Sequence, residues 1–175
     1  SQDRKYTVQF YVYKNVHWPM FESLYEYLKG QSDVGEIIIC LPDLPQLIGA
    51  QNYELAEKLL DSGATVVANP RDKKVEVTFI ADTIAGKVTG CGKIVNVGHG
   101  TISKGYYFTE SFWTERDKWV DLLCVPDAYA AERFANVLKT RVAATGMPKL
   151  DPVFSGAFDR NHLCELLHLN PEKKI

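Results

Sequence analysis

Short apolar runs alternate with longer amphipathic stretches along the chain. The runs are rich in β-branched, aromatic or aliphatic residues, a composition that predicts β-strands. Predicted strands cover residues 6–13, 36–41, 64–68, 75–80, 94–97, 121–125 and 141–144. The run at 36–41 is apolar at almost every position, which is typical of a sheet covered on both faces.

The stretches between these runs repeat apolar residues every three or four positions, which predicts helices that bury one face. Two predicted helices begin near residues 19 and 53 and end at Gly30 and Gly63; three more cover 82–90, 128–139 and 158–169. Asp82 is a candidate N-cap. The predicted buried face of the 128–139 helix consists of Ala131, Phe134, Ala135 and Leu138. Strands alternating with helices predict the α/β class, with a mostly parallel sheet flanked by helices.

Ligands of such sheets bind beyond the carboxyl ends of the strands. Four predicted loops lie at that edge: 14–19, 42–49, 98–105 and 145–152. Three of them carry the residues with the most evident chemistry. That clustering indicates one functional site at this edge.

The loop at 98–105 carries the richest set of reactive groups. His99 is a candidate general base because its ordinary pKa lies near neutrality. The flanking glycines allow backbone N–H groups to approach an oxyanion, and two hydroxyls and an ammonium follow. The predicted site residues of this loop are Gly98, His99, Gly100, Thr101, Ser103 and Lys104. The alternative is an ordinary turn whose histidine is exposed or hydrogen-bonded.

Two further loops add weaker candidates. In the 145–152 loop, we expect Lys149 to face an anionic ligand and Asp151 to line the same cleft. The alternative is that this loop only connects two elements, with Asp151 as a local cap. His17, next to Trp18, follows the first strand and is a candidate substrate contact, although a structural role is the more common one.

Composition narrows the function classes. The 175 residues suit one domain, and a net charge of −2 argues against a nucleic-acid partner. The four cysteines are widely separated, no metal-ligand spacing is present, and no apolar run approaches the ~18 residues that span a bilayer. We therefore expect a cytoplasmic protein without a metal or cofactor, with peripheral contact to the inner face of the plasma membrane as an open alternative.

Three stretches carry a family resemblance. His99-Gly100-Thr101 with Lys104 is similar to an H-G-T-P-L-K turn. The D-L-L-C-V-P stretch at 121–126 is similar to a D-Y-L-L-V-x strand. The G-M-P-K-L-D stretch at 146–151 is similar to a G-x-P-R-x-D interdomain loop. In this order they resemble the CDP-glycerol glycerophosphotransferase family, which makes teichoic-acid-like polymers. The resemblance covers the N-terminal half of that family.

The resemblance implies a Rossmann-like domain of a two-domain GT-B transferase. Residues 1–155 would be the acceptor-side N-terminal domain, and 156–175 a helix and linker leading toward a C-terminal donor-binding domain. His99 would act as base on the hydroxyl of a polyol, glycan or lipid-linked acceptor. The donor would be a nucleotide-activated polyol phosphate or sugar, similar to CDP-glycerol.

Departures from the family pattern bear on the substrate. Ile102 and Ser103 replace Pro-Leu, Gly105 stands where a second lysine is usual, and Lys149 replaces arginine. Two alternatives follow. One is a GT-B enzyme of the sugar-nucleotide 2-epimerase type, whose interdomain loop is similarly built, and the other is a binding domain without catalysis.

Overall fold

A computed structural model describes residues 5–42, 51–69, 75–82, 88, 92–100, 109 and 118–173. These residues form a seven-stranded sheet with the strand order β3-β2-β1-β4-β5-β6-β7. The strands are β1 Tyr6–Tyr11, β2 Val34–Cys40, β3 Thr65–Val67, β4 Val77–Ile80, β5 Lys93–Asn96, β6 Leu122–Val125 and β7 Arg141–Ala144. Every neighbouring pair is parallel. The predicted α/β class with a parallel, Rossmann-like sheet is confirmed.

Five α-helices lie within the described ranges. They are α1 Trp18–Lys29, α2 Gln51–Asp61, α3 Ala128–Ala135, α4 Asp151–Phe154 and α5 Arg160–Leu166, and 3-10 turns occupy Asn15–His17 and Pro148–Leu150. Within those ranges, no helix combines the length and the apolar composition needed to cross a membrane.

The core is centred on β1. Phe10 is fully buried, and its ring lies 5.2 Å from the ring of Phe21 in α1 and 5.2 Å from that of Phe79 in the adjacent β4. The next residue back, Gln9, is also fully buried and donates from Nε2 to Thr78 Oγ1 at 3.3 Å. Successive strand residues point to opposite faces, so both faces of the central sheet are covered.

The strand order reverses between β1 and β4. From β1 the chain first builds outward through β2 and β3, and then returns to add β4 to β7 on the other side. The crossovers on the two sides diverge at this point and leave a crevice beyond the carboxyl ends of β1 and β4. Residues that follow β1, β4 and β5 therefore lie at the expected binding edge.

Several predicted boundaries need correction. The stretch 145–152 is not wholly a loop, because Pro148–Leu150 forms a 3-10 turn and α4 begins at Asp151. Proline at the first positions of each suits a helical start, since its φ is already helical. The 158–169 helix is shorter than predicted: it begins after Asp159, whose carboxylate accepts from the Asn161 and His162 N–H groups.

The 128–139 helix also ends early. Asn136 is its C-cap, so α3 stops at Ala135, which is exposed rather than on the buried face. Phe134 and Leu138 are buried as predicted, Leu138 from beyond the helix end. The predicted 42–49 loop after Pro42, and nearly all of the predicted helix after Asp82, lie outside the described residues.

Candidate functional site

Three side chains from three separate connections meet at the crevice. His17 belongs to the 3-10 turn after β1, Asp82 follows β4, and His99 follows β5. His17 Nε2 lies 3.7 Å from Asp82 Oδ2, and the two imidazole rings are 5.2 Å apart at their centroids with 39° between their planes. One nitrogen or oxygen of each residue lies within 4.8 Å of those of the other two.

The His99 ring has a defined tautomer. Its Nδ1 lies 2.7 Å from the carbonyl oxygen of Ala81. A carbonyl oxygen can only accept, so Nδ1 carries the proton and donates it. In the neutral ring, Nε2 is then the unprotonated nitrogen. The residue as a whole is exposed.

The turn that presents His99 is held by a buried asparagine. Asn96, the last residue of β5, is 3% exposed, and its Oδ1 accepts from the Gly98 N–H at 2.9 Å. Its Nδ2 lies 3.5 Å from the carbonyl oxygen of Asp82. Gly98 has a φ of +67°, a backbone conformation that would be strained for a residue with a side chain. Asn96 therefore links the connection after β5 to the connection after β4.

His17 lies in a different environment from His99. It is fully buried, and this burial lowers its pKa to about 4, with smaller contributions in the same direction from His99 and Lys14. The Asp82 carboxylate opposes the shift. His17 is therefore neutral at pH 7. Neither of its ring nitrogens has a hydrogen-bond partner among the described residues.

A lysine and a tyrosine complete the surroundings of His17. Lys14 Nζ lies 3.6 Å from Asp82 Oδ2. The Tyr13 ring stacks near the His17 ring at 6.3 Å, and Lys14 Nζ lies 5.6 Å from the centre of the Tyr13 ring. The sequence interpretation included neither of these residues in the site and treated Asp82 only as a helix cap. The available signal for Asp82 was its position directly behind a buried strand.

Lys149 is the second predicted residue that the structure brings to His99. Its Nζ donates to the His99 carbonyl oxygen at 3.3 Å, and a Cβ on Gly100 would lie 4.0 Å from the same nitrogen. The two predicted loops therefore meet at the sheet edge. The ammonium holds the backbone of the Gly-His-Gly turn and places a positive charge beside it.

Asp151 contacts α1. Its Oδ2 accepts from Ser23 Oγ in α1 at 2.8 Å, and the same hydroxyl lies 3.1 Å from the Pro148 carbonyl oxygen. This contact fastens the start of α4 to α1. The remaining predicted site residues, Thr101, Ser103 and Lys104, lie outside the described residues.

The arrangement supplies two kinds of chemistry. An exposed imidazole with a free Nε2 and a fixed tautomer can accept a proton from a bound hydroxyl. Two imidazoles and one carboxylate also form an N,N,O donor set of the kind that binds transition metals.

No protein-family model matches this chain, and comparison with curated proteins likewise gives no match.

Proposed function

We propose that the chain is the acceptor-side domain of a GT-B transferase, similar to the CDP-glycerol glycerophosphotransferases. It would move glycerophosphate or a sugar from a nucleotide-activated donor to an acceptor hydroxyl, with His99 as general base. The observation that carries this proposal is the exposed His99 ring at the carboxyl edge of β5. Its Nδ1 donates to the Ala81 carbonyl oxygen at 2.7 Å, which leaves Nε2 as the basic nitrogen of the ring.

The proposed step is a substitution at phosphorus or at an anomeric carbon. The acceptor oxygen forms the new bond, the bond to the nucleotide leaving group breaks, and Nε2 of His99 takes the hydroxyl proton. Such proton transfer contributes about 10²- to 10⁴-fold to a rate. The fixed tautomer supports this role because the ring does not have to exchange protons before it acts.

Lys149 supports an anionic donor. Its ammonium lies at the His99 turn, held by the bond to the His99 carbonyl oxygen. A compact positive charge at this position favours phosphate oxygens, and Lys provides it as a point charge rather than a planar fork. Lys14 adds a second ammonium, which lies 3.6 Å from Asp82 Oδ2.

The surface of the C-terminal stretch supports a partner domain. Several large apolar side chains here are exposed, including Phe154 at 83%. The others are Val153, Phe158, Leu166, Leu167 and Leu169. Concentrated exposed apolar residues mark surfaces that another protein or domain covers. This is the expected location of a linker toward a donor-binding domain.

His99→Ala in the full-length enzyme tests the proposal. We expect the transfer rate to fall by about 10²-fold or more, because the acceptor hydroxyl loses its base. Tyr53→Ala is the control, since Tyr53 is an exposed residue of α2 outside the C-terminal stretch, and it should leave the rate unchanged. Transfer by His99→Ala within about tenfold of the unmodified enzyme would show that His99 is not the base. Epimerisation of a UDP-N-acetylhexosamine without any acceptor would favour the 2-epimerase alternative instead.

A further inference from the structure

We propose that His17, Asp82 and His99 together bind a divalent transition-metal ion, such as Zn²⁺, at the crevice between β1 and β4. The three donors are Nε2 of His17, a carboxylate oxygen of Asp82 and Nε2 of His99. This site goes beyond the transferase proposal, because it describes an ion-binding property of the chain itself. It uses the same nitrogen of His99 as the proposed base, so His99 acts as a base only while no ion is bound.

The distances fit ligands around an ion better than a hydrogen-bonded network. At 3.7 Å, His17 Nε2 and Asp82 Oδ2 are too far apart for a good hydrogen bond. Ligand atoms that share a tetrahedral Zn²⁺ with bonds of about 2.0 to 2.1 Å lie roughly 3.4 Å apart. One ring nitrogen of each histidine and one carboxylate oxygen of Asp82 lie within 4.8 Å of one another, so the three side chains can surround one ion after a shift of about 1 Å.

His99 already has the outer contact of a metal ligand. A histidine bound to a metal commonly donates its other ring N–H to a backbone carbonyl or a carboxylate, which fixes the ring. The 2.7 Å contact from Nδ1 to the Ala81 carbonyl oxygen is such an arrangement. Ala81 directly precedes Asp82, so one short segment orients one ligand and provides another.

His17 provides the second, independent observation. The side chain is fully buried, and within the described part of the chain neither ring nitrogen has a hydrogen-bond partner. Buried polar atoms normally have a hydrogen-bond partner. A buried imidazole that lacks one, next to a carboxylate and another imidazole, therefore indicates a bound ligand. A metal ion satisfies Nε2 without adding a proton to a buried ring.

Lys14 is the competitor for this site. Its Nζ lies 3.6 Å from Asp82 Oδ2, so the carboxylate has a cation at hand when no ion is bound. The Lys14 side chain is 44% exposed, which allows the ammonium to turn toward solvent. Removing this ammonium should therefore strengthen metal binding, because the ion no longer has to displace or repel it.

Calorimetric titration with Zn²⁺ alone tests the site, after a chelator has stripped the chain. We expect saturable binding of one ion that Asp82→Asn and His99→Gln each weaken by about a hundredfold or more, since loss of a ligand exceeds the effect of losing an outer partner. His162→Gln removes an exposed histidine outside the cluster and should bind Zn²⁺ as the unmodified chain does. Lys14→Met should bind roughly tenfold more tightly.

Contrary outcomes are equally clear. Absent or unsaturable binding, or unchanged binding by both Asp82→Asn and His99→Gln, would overturn the site. Circular dichroism of each variant shows whether it is folded. Lys14 is half exposed, so Lys14→Met remains informative if a ligand variant does not fold; an unchanged or weaker affinity in this variant contradicts an ion beside Asp82.

The titration contains neither donor nor acceptor, so its result is independent of the transferase proposal. An ion on Nε2 of His99 prevents that nitrogen from accepting a proton. If Zn²⁺ binds and full-length enzyme still transfers at saturation, the metal site stands and the role of His99 as base is wrong. If Zn²⁺ does not bind and His99→Ala abolishes transfer, the metal site is wrong and the proposed function stands.

Discussion

His17 links the site to the stability of the fold. Its imidazole is fully buried, and burial lowers its pKa from the ordinary 6.5 to about 4. Above pH 6.5 the ring is neutral in both the folded and the unfolded chain, so it adds no pH dependence. As pH falls from 6.5 to 4, the unfolded chain takes up the proton first, and the folded state becomes less stable.

We expect this histidine to reduce the free energy of unfolding by about 3 kcal/mol between pH 7 and pH 4. Urea unfolding at a series of pH values measures the loss. His17→Leu, which replaces the ring with an apolar side chain, should flatten the dependence in this interval. His162→Gln removes an exposed histidine and should retain the full dependence. Equal slopes for His17→Leu and the unmodified chain would mean that His17 is not buried in neutral form.

Sequence reasoning identified part of the site at this scale. The Gly-His-Gly turn indicated His99, and Lys149 was expected at the same edge of the sheet. Both are residues with reactive side chains in segments that follow strands. Asp82 and Lys14 were missed as site residues. Lys14 and Asp82 contact each other although 68 positions separate them along the chain. Local spacing does not reveal which connections meet across a sheet.

At the scale of elements, the alignment of β5 on β4 depends on a close backbone approach. Lys93 N–H donates to the Glu76 carbonyl oxygen at 2.8 Å where the two strands begin to pair. A Cβ on the preceding Gly92 would overlap the carbonyl oxygens of Glu76 and Val75. Only glycine allows the chain to enter β5 at this separation. This entry sets the position of the His99 turn at the opposite end of the strand.

We therefore expect Gly92→Ala to lower the free energy of unfolding by about 2 kcal/mol or more, because backbone atoms must move to admit the methyl group. Gly30→Ala at the end of α1 is the control. Its nearest neighbour would be the Tyr27 carbonyl oxygen at 3.6 Å, and its φ is −86°, so the change should stay within about 0.5 kcal/mol. Denaturant midpoints of the two variants make the comparison. Similar values for both would contradict a close approach at Gly92.

The local sequence pattern predicted whether most described elements are helices or strands. It did not predict where the helices end, because their ends depend on capping contacts. Apolar runs predicted all seven strands, and the 3–4 spacing predicted α1, α2, α3 and α5. The end of α3 at Asn136 and the start of α5 after Asp159 depend on capping. The short α4 was missed because four residues give no helical repeat; its first residue, Asp151, accepts a hydrogen bond from Ser23 of α1.

At the scale of the whole molecule, the class of fold was predictable and the order of the strands was not. Runs that are apolar throughout indicate a sheet buried on both faces, and a sheet with helices on both faces is parallel. The pairing of β1 with β4 joins residues about 69 positions apart, as between Gln9 and Thr78. That pairing creates the crevice, so the location of the site followed from a long-range contact.

The C-terminal stretch makes the last prediction. Its exposed apolar residues include Phe154 at 83% and Phe158 at 52%, within five positions of each other. If another domain normally covers them, the 175-residue chain on its own should bind a hydrophobic dye and associate as its concentration rises. Phe154→Ser with Phe158→Ser should reduce both effects without lowering thermal stability, because neither ring is buried. Tyr53→Ser, at an exposed aromatic of α2, is the control and should change neither dye binding nor association.

Dye fluorescence and sedimentation measure the two effects. Equal dye binding by the double variant and the unmodified chain would show that this stretch is not an uncovered interface, and the proposed partner domain would then need a different contact surface.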